Sequence, residues 1–118
     1  AYPLGGQFHV AHGASNALLL PPVMAANLPA MPERYAQVAL ALGASPGSTA
    51  LETAQQGVER IRALMRQIGI VERLSALGIP REALPGMAVA AVGITRLMNN
   101  NPRPLTAAEA EAIYEAVY

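Results

Sequence analysis

Between Thr49 and Ile68, apolar side chains recur at alternating steps of three and four: Leu51, Ala54, Val58, Ile61, Met65 and Ile68. That spacing sets them in one stripe of a 3.6-residue helix, with Glu52, Gln56, Glu59, Arg60 and Arg66 on the remaining faces. Such a stripe has to be buried against another element, so the rest of the chain must supply partners. The punctuation agrees with a helix. Pro46-Gly47 breaks the chain upstream, Thr49 and Glu52 have capping-box spacing, and Gly69 suits the far end.

The partners read as helices too. Pro32 suits a first helical position, and Tyr35, Val38, Ala39 and Leu42 follow as an apolar face before Gly43. The most apolar stretch, Ala14 to Ala26, carries Ser15, Asn16 and the pair Pro21-Pro22. It falls short of the roughly 18 uninterrupted apolar residues of a membrane span and reads as a buried core helix. From Gly86 to Met98 almost no polar face is left, which predicts one helix at the centre of a bundle. Asn99-Asn100-Asn101, a sequence that tolerates left-handed backbone, and Pro102 end it. Thr106 and Glu109 repeat the capping-box pattern ahead of a last stripe, Ala110, Ile113 and Val117. No run of β-branched or aromatic residues alternates with polar ones long enough for a strand. With short loops marked by Pro and Gly, the expectation is an all-α helical bundle, a single domain over residues 1–118.

Composition narrows the function. Only 14% of residues are charged, against roughly 25% in an average domain, so part of the surface is expected to meet another body. A formal net charge of +0 lacks the footprint of a nucleic-acid binder and leaves no polybasic or acidic tail for a membrane surface. Every basic residue is Arg and every acidic one Glu; Lys, Asp and Cys do not occur. That excludes a disulfide framework, a thiolate metal site, a cysteine nucleophile and the lysine of a phosphate-binding loop. Cysteine-free composition and the lack of a signal-peptide pattern lead to an expected cytoplasmic location.

Most candidate chemistry dissolves on inspection. Ser15 has no base and orienting acid around it, and Gly5-Gly6 does not follow a strand. Glu109, Glu111 and Glu115 read as a solvated helix face. What is left is Gln7-Phe8-His9-Val10-Ala11-His12-Gly13, which holds both histidines of the chain. His12 falls at or near the start of the most apolar helix. Neutral imidazole is the form that ligates a metal, and a hydrogen-bonded structural histidine is the competing account of His12. For His9, spacing alone does not make a ligand.

These residues carry a resemblance. The run Ala1-Tyr2-Pro3-Leu4-Gly5-Gly6, then Phe8-His9-Val10-Ala11-His12-Gly13, then Ser15-Asn16-Ala17-Leu18-Leu19-Leu20-Pro21, resembles the group III, iron-containing alcohol dehydrogenases. Asn100-Asn101-Pro102-Arg103-Pro104-Leu105-Thr106 is similar to a second recurring segment of that family, and Tyr35-Ala36-Gln37-Val38-Ala39 and Gly78-Ile79-Pro80 fall in familiar places. The resemblance covers essentially the whole chain but only the C-terminal part of the family's full-length sequence.

What the resemblance implies is specific. Members have an N-terminal domain that binds NAD or NADP, followed by an all-helical, dehydroquinate synthase-like α domain, with Fe²⁺ or sometimes Zn²⁺ in the cleft between them. The ligands are one Asp and three His, and the last His occupies the position of His12; the other three then lie upstream of Ala1. Tyr2 stands where many members have a further, non-ligand His near substrate and nicotinamide, and so implies a subfamily. Phe8 and Leu97 are implied to line the substrate side. The chain is therefore expected to be the helical, metal-ligand-bearing part of an NAD(P)-dependent alcohol dehydrogenase. On its own it is expected to be incompetent in hydride transfer and to hold neither metal nor NAD(P) tightly. Its implied partner is the family's nucleotide-binding domain, absent from this chain, and a homodimer is a further association that an uncovered apolar face allows. The rival from another class is a stand-alone helical interaction module, or a truncated gene product, derived from such an enzyme.

Overall fold

The stretches with helical spacing are helical in the structure, one of them with a break. The computed structural model describes residues 1–118 and runs α1 (Tyr2–Phe8), α2 (His12–Asn27), α3 (Pro32–Ala41), α4 (Ala50–Gln67), α5 (Leu84–Val92), α6 (Thr95–Met98) and α7 (Ala107–Glu115). Single 3₁₀ turns at Leu28–Ala30, Ser75–Leu77 and Arg81–Ala83 join some of them, and no residue is in a strand. No helix is long and apolar enough to cross a membrane.

The spine is α2. Its Leu18 and Leu19 belong to the larger core cluster, with Leu4, Leu74, Ile79, Leu84, Met87, Ala88, Ala110 and Tyr114. Its Met24 belongs to a smaller one, with Leu28, Ala54 and Val58. One helix thus ties the α3–α4 hairpin to the α5–α7 pair, and α1 packs beside it. Full burial of side chains such as Leu4, Leu18 and Leu84 stabilises by about 1.5–3 kcal/mol each relative to exposure. α2 continues through Pro21 and Pro22, both buried. Neither proline has an N–H to donate to the carbonyl four residues back, so tertiary packing rather than the helical ladder holds this stretch.

Local chemistry explains the helix ends. Thr106 caps α7 in a full capping box: its hydroxyl accepts from Glu109 N–H, and the Glu109 carboxylate accepts from Thr106 N–H at 2.8 Å. At α4 the box is displaced by one residue. Thr49 accepts from Glu52 N–H, while the Glu52 carboxylate takes its bond from Ser48 N–H. Gly43 and Gly69 close α3 and α4 with positive φ, as their positions predict.

Three expectations need correction. The segment after Gly86 is not one central helix: it breaks at Gly93-Ile94 into α5 and α6, and Val89 is 62% exposed. The asparagines beyond it end α6 as expected, but without left-handed backbone, for His9 is the only non-glycine residue with positive φ. They close the end by short turns instead, with Asn100 N–H donating to Leu97 and Asn101 N–H to Met98. The buried side of α3 is Ala36 and Ala39, while Val38 and Leu42 face outward; likewise Leu51 and Ile68 at the ends of the α4 stripe are exposed. The reason is a close approach. A Cβ added to Gly57 of α4 would stand 2.6 Å from the Ala39 Cβ, so the two backbones meet where side chains are smallest.

Candidate functional site

The His9 backbone sets the geometry at the head of α2. Its φ of 56° and ψ of 24° end α1 in a left-handed turn, and Val10 N–H then donates to Leu4 carbonyl at 3.2 Å. This reverses the chain within three residues and brings the first residue of α1 beside the first of α2. The rings of Tyr2 and His12 meet there edge to face, with centroids 5.7 Å apart and planes inclined by 72°.

Both backbones under this pair are fixed. Leu4 is fully buried on α1, and on α2 so is Ser15, whose hydroxyl donates back to the Ala11 carbonyl at 3.2 Å. Ser15 is thereby a structural hydroxyl. The His12 side chain is exposed and takes part in none of the chain's side-chain hydrogen bonds. The competing account, a histidine held by internal hydrogen bonds, therefore has no support. His9 is exposed as well, and its conformation gives it a backbone role.

The other expected site residues are spread more widely. Phe8 packs half-buried against the larger core cluster. Leu97 is half-buried on α6, in the segment that a polar network fastens to the end of α2. In that network Asn27 and Asn101 exchange amide bonds of 2.7 and 2.9 Å, and Arg103 Nε donates to the Ala26 carbonyl at 3.1 Å. Nothing local in the sequence signals this pairing, since Asn27 and Asn101 are 74 residues apart.

The glutamates expected on a solvated face are partly in use. Glu109 pairs with Arg103 at 2.6 Å and Glu115 with Arg81 at 2.7 Å. The Thr106 N–H foremost, then Arg103 and the Thr106 hydroxyl, hold the Glu109 carboxyl down at about 2. Burial pushes the Tyr114 phenol up to about 12.

As a donor set, the site offers one outward-facing imidazole carried on a buried helix. No three His or Glu side chains of the chain converge as a metal site. His12 is thus one nitrogen donor and not a member of a ready-made cluster within the chain.

This all-helical domain has close structural counterparts among solved oxidoreductases. A crystal structure of 1,3-propanediol oxidoreductase superposes with a TM-score of 0.94 at 34% identity, over 99% of this chain and 31% of that one. An alcohol dehydrogenase from Oenococcus oeni gives 0.92 at 30% identity, over 99% and 30%. By sequence the chain is 41% identical to long-chain-alcohol dehydrogenase 1 of Geobacillus thermodenitrificans, over 100% of this chain and 30% of that protein. It is 34% identical to lactaldehyde reductase of Escherichia coli, over 100% and 31%. Residues 1–118 match the model of the Fe-containing alcohol dehydrogenase family, C-terminal. The chain belongs to that family as its C-terminal helical domain, and it spans about 30% of the length of these relatives.

Proposed function

We propose that residues 1–118 form one domain, the metal-ligand-bearing helical part of an NAD(P)-dependent alcohol dehydrogenase, with His12 as its metal ligand. The observation that carries this reading is the His12 imidazole, exposed at the head of a buried helix and engaged in no hydrogen bond within the chain. The relatives' names agree in reaction class: one is an alcohol dehydrogenase, the other an aldehyde reductase.

In this reading a bound Fe²⁺ or Zn²⁺ supplies Lewis acidity at an alcohol or carbonyl oxygen during hydride exchange with nicotinamide. The chain's own part is to position. His12 offers one imidazole nitrogen from a rigid helix, and Tyr2 beside it, with the half-buried Phe8 and Leu97, belongs to the substrate side. One imidazole does not hold such an ion tightly, because affinity comes from several preorganised ligands together. A nucleotide-binding domain supplies the remaining ligands and the dinucleotide pocket.

Fusing residues 1–118 behind the N-terminal part of the Geobacillus relative tests this. The fusion should bind iron or zinc and oxidise alcohols with NAD(P), and His12→Ala should remove metal and activity together. Turnover by residues 1–118 alone, or a His12→Ala fusion that keeps its metal, overturns the reading. A second reading, a helical interaction module, draws on the apolar Leu40 of α3 and Leu64 of α4, both about half exposed. It gains ground if the fusion stays metal-free while residues 1–118 self-associate.

A further inference from the structure

We infer that Tyr2 is a positioning residue for His12: its ring restricts the imidazole to the orientation in which His12 meets a metal. This rests on the reading of His12 as a ligand and adds a task to Tyr2 beyond lining the substrate side.

An exposed histidine ordinarily samples three staggered χ1 wells, and its ring turns about a broad χ2. Metal-bound histidines escape that freedom because the second ring nitrogen usually donates to a carboxylate or carbonyl. His12 has no such bond within the chain. The group this chain does place against its ring is Tyr2, at 5.7 Å and 72°.

The contact is built, not incidental. Tyr2 is the first residue of α1 and His12 the first of α2, and these helices pack together. Leu4 fixes one in the core, Leu18 and Leu19 fix the other, and the left-handed His9 turn closes the angle between them. Aromatic pairs favour this edge-to-face arrangement through the positive edge and negative face of their rings. The attraction needs the ring and not the hydroxyl, so Phe should serve where Ala does not. Removing one contact of this kind, with return of the lost rotamers, is expected to weaken ligation by about three- to ten-fold.

The test uses residues 1–118 fused behind the N-terminal part of the Geobacillus relative, loaded with metal, and follows metal content and release to a chelator. His12→Ala should lose the metal. Tyr2→Ala should release it about three- to ten-fold faster at an unchanged melting temperature, while Tyr2→Phe should match the parent protein. Tyr2 is 52% exposed, so neither change should unfold the domain. In NMR spectra, the ring-current shift on the His12 protons should survive Tyr2→Phe and vanish in Tyr2→Ala. Metal loss in His12→Ala with parental release from Tyr2→Ala overturns the positioning role and leaves the ligand standing. Metal retained in His12→Ala overturns the ligand reading and this inference with it.

Discussion

Asn27 and Asn101 exchange two side-chain amide hydrogen bonds, and Asn101 donates a third to the Arg103 carbonyl at 2.7 Å. Asn27 is 1% exposed at the last position of α2, so its amide has no water to fall back on. Asn27→Ala leaves the Asn101 amide partly unpaired and should cost about 2 kcal/mol of unfolding free energy in urea melts. A cycle with Asn101→Ala should show a coupling of about 1 kcal/mol or more. Additive single mutants are the contrary result.

Gly57 faces Ala39 at the closest approach of α3 and α4. An alanine in a helix interior normally improves on glycine by about 1 kcal/mol. Here the new Cβ would stand 2.6 Å from the Ala39 Cβ and 2.9 Å from its Cα. Gly57→Ala should therefore destabilise by about 1–3 kcal/mol, and the sign of the change in melting temperature decides the matter.

His9 adopts a φ of 56°, a conformation that suits glycine better than a β-carbon-bearing residue. His9→Gly should raise stability by about 0.5–1 kcal/mol, net of the greater entropy of the unfolded chain. On the proposed reading, in which His12 is the ligand and His9 shapes the turn, the same variant should keep the metal content of the loaded protein. A loss of metal would give His9 a place in the site.

Glu109 links α7 to pH. Its carboxyl lies at about 2, below an ordinary 4.5, so the folded chain binds fewer protons than the unfolded one between those values. Stability should accordingly rise with pH through that window. The contribution is fully present above about 4.5 and is lost as pH falls toward about 2. Denaturant melts of Glu109→Gln across this range should show a flatter dependence than the parent chain, and an unchanged slope would remove Glu109 from the account.

Much of the fold was legible because its helices obey local rules. The three-and-four spacing and the Thr106 cap, with Gly43 and Gly69, are read from residues within a turn of one another. The failures are of another kind. On the expected face of α3, Tyr35 and Ala39 do pack inward, whereas Val38 and Leu42 do not, because close approach to Gly57 selects the small Ala39. The hydrogen-bond partner of Asn101 lies in α2, beyond the reach of any local pattern. At the site, His12 was visible through the motif it shares with the family. Its neighbour Tyr2 was visible only as a motif position, since their contact depends on the His9 turn and no local pattern encodes that.

On the proposed reading, this domain gives one imidazole to a metal site that other residues complete. Calorimetric titration of residues 1–118 with Fe²⁺ under anaerobic conditions, and with Zn²⁺, decides whether that is so. Neither ion should be captured stoichiometrically. Tight one-to-one binding that His12→Ala abolishes would refute the reading, for the site would then be whole within these residues.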